Sequence, residues 1–442
     1  MFADTVTISG TQTFASLDGS SADRDGASNG VFTVTGGDLV VNGVVNCNNA
    51  GASDNACSMA FAASGNITIN AGGALYAENR SGSGSAGNIT VTAGGNVALN
   101  GNAIISTSAK SSRGSTGGAI AVTAGGSIAI ASGSTIDSGS VNARGGNIVL
   151  DADGTVSVNG NILSGPSRTL AATRLGGGAA LDGGTSNTIG GSISINSSTF
   201  AEPAIVVGAT ANIVSQGASA SVTIDGCGVQ VKGLVAAIGN KDGAATANIR
   251  SGKDVLIDGR DLGTANGARM GRVRADQSTG NAAGNSVNVF ASETVDVFGP
   301  AGALHALTSV PGANDAKSRG GVIRIISLGD AVNAAGNVAD TGHTASGAAG
   351  GTIEIAAKED ANLNTAVLRA IGDLKTGNNG RRGGAIRVRS YSGDVIWTNG
   401  IGEVRPVGST SGLPLAEQGS IVLTACGSVT TTGSTFPAMG VA

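Results

Sequence analysis

Residues 87–99 read GNITVTAGGNVAL, and this stretch decides the fold. In each half, isoleucine, valine or leucine alternates with small or polar residues, which is the pattern of a short strand with one buried face. Ala-Gly-Gly separates the halves and is typical of a turn. The stretch therefore predicts two strands joined by a sharp corner, at which the glycines supply a positive φ.

The same pattern recurs along the chain at a spacing that predicts a solenoid. First strands of the form Gly-Gly-x-Ile-x-Ile, or close variants of it, begin at positions 117, 145, 190, 350 and 383. A second strand follows after 8 residues, as from Ile89 to Val97, and a third comes shortly afterwards. The distance back to the next Gly-Gly varies, so insertions are confined to one corner. Repeats too small to bury their own apolar face are expected to stack as coils.

The predicted fold is all-β: a single right-handed parallel β-helix of about 12–13 three-strand coils. Residues 31–435 are expected to form this helix, residues 1–30 an N-terminal strand or cap segment, and residues 436–442 a C-terminal tail or linker. The 442 residues include 75 glycines but only 8 Phe, 2 Tyr and 1 Trp. Narrow coils need small and β-branched residues, which agrees with this composition. Tandem β-sandwiches are the alternative, but they do not require a Gly-Gly register.

Charge and hydropathy argue against nucleic-acid and membrane partners, and cysteine content favours an extracellular location. The net charge of −4 gives no basis for binding nucleic acid, and no apolar run approaches the ~20 residues of a membrane helix. Cys47 and Cys57 flank a polar loop and are predicted to form a disulfide, which fits an oxidising compartment. Cys227 and Cys426 are predicted to be buried and unbonded. We expect a secreted or cell-surface protein whose signal peptide has been removed.

Residues 87–99 and similar runs resemble the repeats of filamentous-haemagglutinin-like adhesins and other large bacterial surface proteins with right-handed parallel β-helix repeats. The resemblance covers residues 30–435. It implies an exported protein with an adhesive or structural role, which self-associates end to end or binds a surface receptor or glycan. The Asn-Pro-Asn-Gly element typical of two-partner secretion domains does not occur in the sequence, so the secretion route is not implied.

A polysaccharide-degrading enzyme, either a lyase or a glycoside hydrolase, is the first alternative, because such enzymes also use parallel β-helices. The densest group of suitable residues is Asp254, Asp258, Arg260 and Asp261. A lyase would use clustered aspartates to hold Ca²⁺ and an arginine or lysine as base, whereas a hydrolase would need a carboxylic acid paired with a carboxylate. The competing interpretation is a solvated turn whose charges pair with each other.

Ice binding is the second alternative, and it requires Thr-x-Thr at one fixed position in successive coils. Thr90 and Thr92 supply one such pair, but the position equivalent to Thr90 in the next coil is Ala121. The sequence therefore predicts an interrupted threonine ladder.

Three charged residues are predicted to form a stripe on the outer surface. Arg324, Glu354 and Arg387 occupy the same position in successive first strands, where they would alternate in charge. A stripe of this kind is either a partner-binding site or a solvated face. The sequence as a whole predicts a non-catalytic extracellular stalk, filament subunit or adhesin of the bacterial surface, without catalytic residues, metal or cofactor.

Overall fold

The computed structural model describes the backbone of most of the chain and the side chains of a smaller set of residues. The backbone is described for residues 6–9, 12–14, 17–18, 30–35, 37–48, 55–80, 84–109, 115–140, 143–165, 189–239, 243–260, 271–277, 285–300, 304–310, 320–342, 349–372, 383–404 and 419–436. Side chains are described from residue 37 onward within these ranges, except for Gln277. The chain divides into unit 1, Met1–Arg174 with Gly184–Cys227, and unit 2, Leu175–Gly183 with Gly228–Ala442.

Unit 1 consists of short strands that follow one another around successive coils. In chain order they are β1 (Val6–Ser9), β2 (Gln12–Phe14), β3 (Leu17–Asp18), β4 (Gly30–Thr35), β5 (Leu39–Val41), β6 (Val44–Asn46), β7 (Met59–Ala63), β8 (Ile67–Ile69), β9 (Ala74–Tyr76), β10 (Ile89–Ala93), β11 (Val97–Leu99), β12 (Ile104–Ser106), β13 (Ile120–Ala124), β14 (Ile128–Ile130), β15 (Thr135–Asp137), β16 (Ile148–Ala152), β17 (Val156–Val158), β18 (Asn161–Ser164), β19 (Ser192–Ser197), β20 (Ile205–Val207), β21 (Asn212–Gln216) and β22 (Ser221–Gly226). Every third strand belongs to the same sheet: sheet 1 runs from β1 to β22, sheet 2 from β2 to β20, and sheet 3 from β3 to β21.

Unit 2 is built in the same way. Its strands are β23 (Val229–Val231), β24 (Leu234–Gly239), β25 (Thr246–Ser251), β26 (Val255–Asp258), β27 (Arg272–Gln277), β28 (Ser286–Ala291), β29 (Val295–Phe298), β30 (Leu307–Thr308), β31 (Val322–Ser327), β32 (Val332–Ala335), β33 (Asn337–Asp340), β34 (Thr352–Ala357), β35 (Ala361–Asn364), β36 (Val367–Arg369), β37 (Ala385–Ser390), β38 (Val395–Thr398), β39 (Ile401–Glu403), β40 (Ser420–Thr424) and β41 (Val429–Thr430). Sheet 1 of this unit runs from β25 to β40, sheet 2 from β23 to β41, and sheet 3 from β24 to β39.

Within each unit, a strand pairs in parallel with the strand three positions later, so each coil contributes one strand to each sheet. The strands of sheet 3 number seven in unit 1 and six in unit 2. The predicted right-handed parallel β-helix of three-strand coils is confirmed. The segment predicted as an N-terminal strand or cap, residues 1–30, contains β1, β2 and β3, which pair in parallel with β4, β5 and β6.

Ladders of apolar side chains fill the interior of each unit. One ladder in sheet 1 of unit 1 consists of Phe61, Val91, Val122, Leu150, Ile195 and Ile224, all buried. A ladder in sheet 1 of unit 2 consists of Ile249, Val289, Ile325, Ile355 and Val388, also buried. Burial of each such side chain contributes about 1.5–3 kcal/mol. The alternation predicted for residues 87–99 is confirmed, since Ile89 and Val91 are buried and Thr90 and Thr92 are exposed.

The paired glycines have a role that differs from the predicted one. Gly94 and Gly125, at the corners between sheets 1 and 2, do not adopt a positive φ. A Cβ on Gly94 would instead lie closer than 3.0 Å to the carbonyl oxygen of Ser64 in the neighbouring coil. The Gly-Gly before sheet 1 is similar, because a Cβ on Gly351 would overlap the carbonyl of Gly321. The prediction of a positive φ is wrong for Gly94 and Gly125: with coils stacked about 4.8 Å apart, these two positions approach the carbonyl of the neighbouring coil too closely for a Cβ.

The residue before each sheet 2 strand often ties one coil to the next. Asp38 Oδ1 accepts a hydrogen bond from the backbone N of Asn66 (2.6 Å), and Asn66 Oδ1 accepts one from the N of Asn96 (2.8 Å). In unit 2, Asp360 Oδ1 accepts from the N of Asp394 (2.8 Å). These bonds satisfy backbone donors at a corner, where the ladder of the sheet is interrupted.

Trp397 belongs to the interior of unit 2. Its side chain is fully buried, and its Nε1 donates a hydrogen bond to the carbonyl of Ala366 (3.2 Å). The ring of Phe436 packs against it edge to face, with 5.0 Å between the ring centres. Phe436 begins the segment predicted as a tail or linker, residues 436–442, and packs against the core. Residues 437–442 lie outside the described residues.

Candidate functional site

The predicted disulfide in unit 1 is confirmed. Cys47 and Cys57 are bonded, with their Cα atoms 5.4 Å apart, and both are buried. The backbone N of Cys57 donates to the carbonyl of Cys47 (3.2 Å), and the N of Cys47 donates to that of Tyr76 in the next coil (2.7 Å). Residues 49–54 of the enclosed loop lie outside the described residues. The bond therefore closes an insertion at the variable corner of an early coil.

A buried carboxylate near the disulfide was missed by the sequence analysis. Glu78 is 1% exposed. Its Oε1 accepts hydrogen bonds from Ser106 Oγ (2.6 Å) and Ser108 Oγ (3.1 Å), and its Oε2 pairs with Arg80 Nε (2.9 Å). Its backbone N donates to Asn48 Oδ1 (2.7 Å). Since both carboxylate oxygens have partners, the arrangement joins neighbouring coils rather than offering a free acid or base.

The predicted stripe is brought into register on the outer surface of sheet 1 in unit 2. Arg324 faces Glu354, and Glu354 faces Arg387, in adjacent strands. Arg324 Nε lies 3.4 Å from Glu354 Oε2, and each of the two side chains is 42% exposed. Arg324 Nη1 also donates to Asn288 Oδ1 (3.3 Å). An exposed pair of this kind contributes about 0.2–1 kcal/mol. The role of the stripe in binding a partner stays a prediction.

The neighbouring outward row of the same sheet adds two arginines that sequence analysis missed. Its facing residues are Arg250, Phe290, Ile326, Ala356 and Arg389. Arg250 and Arg389 are exposed, and the Arg389 guanidinium lies 5.6 Å from the centre of the exposed Tyr391 ring. The signal was present, since each arginine directly follows an inward isoleucine or valine. We call Arg250, Arg324, Arg387 and Arg389, together with Glu354, the arginine face.

The acidic group considered for catalysis is paired with its own arginine. Arg260 Nε and Nη2 donate to Asp258 Oδ1 (2.9 Å) and Oδ2 (3.1 Å). Hydrogen bonding from Arg260 holds the pKa of Asp258 below its usual value. Asp254 Oδ1 accepts from the backbone N of Thr294 (2.8 Å), and Asp261 lies outside the described residues. A general acid requires a raised pKa, so this arrangement fits a charge-paired turn.

The threonine ladder needed for ice binding is interrupted in unit 1. Thr90 faces Ala121 in the next coil. Thr92 faces Thr123, but the following position is Asp151. These residues do not form a regular threonine array.

A second charged row, which we call the sheet 3 ion row, lies on sheet 3 of unit 2. Its facing residues are Arg274, Thr308, Asp340, Arg369 and Glu403. Arg369 Nε lies 3.0 Å from Glu403 Oε2, and its Nη1 lies 3.9 Å from Asp340 Oδ2. Arg274 Nη2 pairs with Asp276 Oδ2 at 2.6 Å. Acidic and basic side chains alternate here, so the row stabilises the stacking of coils.

Burial shifts the pKa of both His305 and Asp340 in this region. His305 Nδ1 lies 3.7 Å from Asp340 Oδ2, and His305 Nε2 is buried without a hydrogen-bond partner. Burial, reinforced by the charges of Arg369 and Arg272, lowers the pKa of His305 to about 4. Burial raises the pKa of Asp340 to about 6, although the hydrogen bond from the N of Gly342 opposes the shift. At neutral pH the imidazole is therefore uncharged beside a carboxylate.

The other two cysteines are unbonded, as predicted, but they are not buried. Cys227 is half-buried and Cys426 is exposed. Both lie in the corner between a sheet 1 strand and a sheet 2 strand, at a position where side chains can face outward. The prediction of burial is therefore wrong for both residues.

The described ranges contain neither a cluster suited to a metal ion nor a membrane-spanning helix. Within them, no group of three or more His, Cys, Asp or Glu side chains is arranged to hold a metal ion. His343 lies outside those ranges. The described part of the chain contains no helix long and apolar enough to cross a membrane.

No family model, curated protein or solved structure matches this chain. The resemblance to filamentous-haemagglutinin-like adhesins stays a prediction that rests on the repeat residues alone.

Proposed function

We propose that the chain is a non-catalytic extracellular structural protein of a bacterial surface, acting as a stalk, filament subunit or adhesin. The supporting observation is how its acidic side chains are used. Asp258 is paired with Arg260, Glu403 is paired with Arg369, and Asp360 accepts a backbone hydrogen bond. A glycoside hydrolase needs a pair of carboxyl groups free to exchange protons, whereas these three carboxylates are used to hold the chain together.

The Cys47–Cys57 disulfide supports the extracellular part of the proposal. Structural disulfides persist in oxidising compartments and are rare where thiols are kept reduced. The bond is buried within unit 1, which is typical of a structural bond rather than a redox-active one.

Self-association end to end is supported by the last described coil of unit 2. Ile421 and Leu423 of β40 face Ile386 and Val388 of β37, yet they are half-buried whereas the latter pair is buried. Val429 of β41 is 47% exposed. A strand paired along one edge can accept another strand along its free edge.

Electron microscopy of natively purified protein tests the structural role. Fibres would support a filament subunit, and isolated short rods would support a stalk or adhesin. Compact globular particles would contradict all three, because the proposed roles depend on an extended stack of coils.

Incubation with acidic polysaccharides tests the absence of catalysis. We expect no release of unsaturated or reducing ends from polygalacturonate or alginate, because the Asp258 carboxylate is held ionised by Arg260. Release that Asp258→Ala abolishes would overturn the proposal in favour of an enzyme. Asp151→Ala, at an exposed position on sheet 1 of unit 1, is the matched control and should change nothing.

A further inference from the structure

Sheet 1 of unit 2 carries an excess of positive charge on its outer surface. The arginine face contains four arginines and one glutamate, although the whole chain has a net charge of −4. In unit 1, strands β7, β10, β13, β16, β19 and β22 of sheet 1 contain no lysine or arginine, and their exposed charges are Asp151 and Asp225. Among the described strands of sheet 1, the positive charge therefore lies in unit 2.

Most of this charge has no partner within the described chain. Glu354 is in register with both Arg324 and Arg387, but it forms an ion pair with Arg324. Within the described ranges, Arg250 and Arg387 make no side-chain hydrogen bond or ion pair, and Arg389 contacts the ring of Tyr391. A guanidinium offers five donors in a planar fork, so these groups are available to an external anion.

The arginines occur on alternate strands. Arg250 lies on β25, Arg324 on β31, and Arg387 and Arg389 on β37, while β28 and β34 separate them. At about 4.8 Å between neighbouring strands, successive cationic strands are about 10 Å apart. One sugar residue of an extended polysaccharide spans nearly one strand spacing. A disaccharide repeat with one charged sugar therefore matches the period of this surface.

Apolar side chains lie between and beside the cations. Phe290 and Ile326 are half-buried in the row that also contains Arg250 and Arg389, and Tyr391 is 56% exposed at the edge of the face. The sheet thus offers flat apolar surface on which the faces of sugar rings can pack, next to groups that bind carboxylates. Single-stranded nucleic acid would need an aromatic platform for each successive base, which two rings do not supply.

We propose that the arginine face binds a linear acidic polysaccharide in which one sugar of each disaccharide carries a carboxylate. The inference rests on the proposed extracellular role, and it names the class of ligand for that role. Each arginine contributes a charge-assisted contact, and several such contacts along one polymer act together. Because the face is exposed, binding is expected to weaken as salt is raised.

Binding of the full chain to hyaluronan oligosaccharides, whose sugars alternate between carboxylated and uncharged, tests the proposal by isothermal titration calorimetry. The double variant Arg387→Gln with Arg389→Gln should bind about tenfold more weakly, since each exposed charge contributes modestly. Arg144→Gln with Lys232→Gln removes the same charge from exposed positions outside the face and should bind as the wild type does. Raising sodium chloride from 0.05 to about 0.5 M should abolish wild-type binding.

Several results would overturn the assignment. They are no measurable binding, an unchanged affinity in the arginine variant, an equal loss in the control variant, equal binding of uncharged dextran, or tighter binding of single-stranded DNA. Failure to bind would leave the proposed structural role intact. Depolymerisation of hyaluronan would support recognition by this chain but overturn the proposed absence of catalysis, so the two failures are distinguishable.

Discussion

At the residue scale, His305 and Asp340 respond to folding in opposite directions. Asp340 belongs to the sheet 3 ion row and His305 lies beside it, and burial disfavours the charged form of each side chain. The two side chains face each other; the other charged groups near Asp340 are Arg369, Asp276 and Glu403, and those near His305 are Arg369 and Arg272. The net effect on stability depends on which state, folded or unfolded, holds more protons.

Between pH 4 and 6.5 these two residues are expected to offset each other. The folded-state pKa of Asp340, about 6, is above its ordinary 3.8, so the folded state binds more protons and stability falls as the pH rises to 6. The folded-state pKa of His305, about 4, is below its ordinary 6.5, so the unfolded state binds more protons and stability rises with pH. Each slope is about 1.4 kcal/mol per pH unit, with opposite sign.

Single substitutions should separate the two opposing dependences of the free energy of unfolding on pH. In Asp340→Asn only the contribution of His305 remains, so the free energy of unfolding should rise more steeply from pH 4 to 6.5 than it does in the wild type. In His305→Gln only the contribution of Asp340 remains, so the free energy of unfolding should fall from pH 4 to 6 relative to the wild-type curve. Urea unfolding at half-unit pH steps measures both. Variant curves that run parallel to the wild-type curve would contradict the assignment.

Also at the residue scale, glycine is required where coils approach each other closely. Gly351→Ala should lower the free energy of unfolding by about 1–3 kcal/mol, because the added methyl group overlaps the Gly321 carbonyl and the coils must separate. Gly252→Ala is the matched control in the same unit, since a Cβ there meets nothing within 4 Å and its φ is not positive. Thermal unfolding followed by circular dichroism compares the two variants, and equal effects would contradict this explanation.

At the element scale, sheets 1 and 2 could be predicted from the sequence more fully than sheet 3. The alternation around Ile89 and the fixed step to Val97 determine which residues of these strands point into the core, because a shift of one residue would reverse the buried face. Sheet 3 follows that step at a less regular distance, and its pairing shifts register between Asn337 and Ala339. The sequences Val273-Arg274-Ala275 and Leu304-His305-Ala306 are similar, which suggests that His305 faces Arg274. In the structure, Thr308 faces Arg274.

The sheet 3 ion row and the arginine face were also incompletely predicted, for a related reason. Asp340, Arg369 and Glu403 are separated by 29 and 34 residues along the chain (369 − 340 and 403 − 369). Variable insertions lie between them, so only the register of the coils brings them together. Core packing constrains the residue type at inward positions but not at outward ones, so the alternation shows which residues face outward without showing which of them interact.

The disulfide is an element-scale constraint on the early coils of unit 1. Closing a loop of about 11 residues restricts the unfolded chain and should contribute about 3 kcal/mol. In native, unreduced protein we expect iodoacetamide to leave Cys47 and Cys57 unmodified, with peptide mass spectrometry as the readout. Cys426, which is exposed and free, should be labelled in the same sample and serves as the internal control. Labelling of Cys47 and Cys57 without reductant would remove the evidence for an oxidising environment.

At the scale of the whole molecule, one repeat serves two different surfaces. The buried ladders of both units use the same few residue types, whereas the outward positions of sheet 1 are mostly small and uncharged in unit 1 and rich in arginine in unit 2. Because the inward and outward sets alternate along each strand, the surface can change without altering the core. This separation allows a structural stack to carry a local binding surface.

Within each unit, the parallel pairing of strands in neighbouring coils also determines the response to mechanical load. The inter-strand hydrogen bonds lie along the direction in which coils stack, so tension in that direction acts on one terminal coil at a time and peels it from its neighbour. The coil that runs from Ile89 to Ile120 would release 31 residues of chain (120 − 89), or ~100 Å when extended. The coil that contains Cys47 and Cys57 would release less, because the bond prevents its loop from extending. Successive coils of one unit would therefore yield in turn, so that the unit lengthens in steps of one coil rather than all at once.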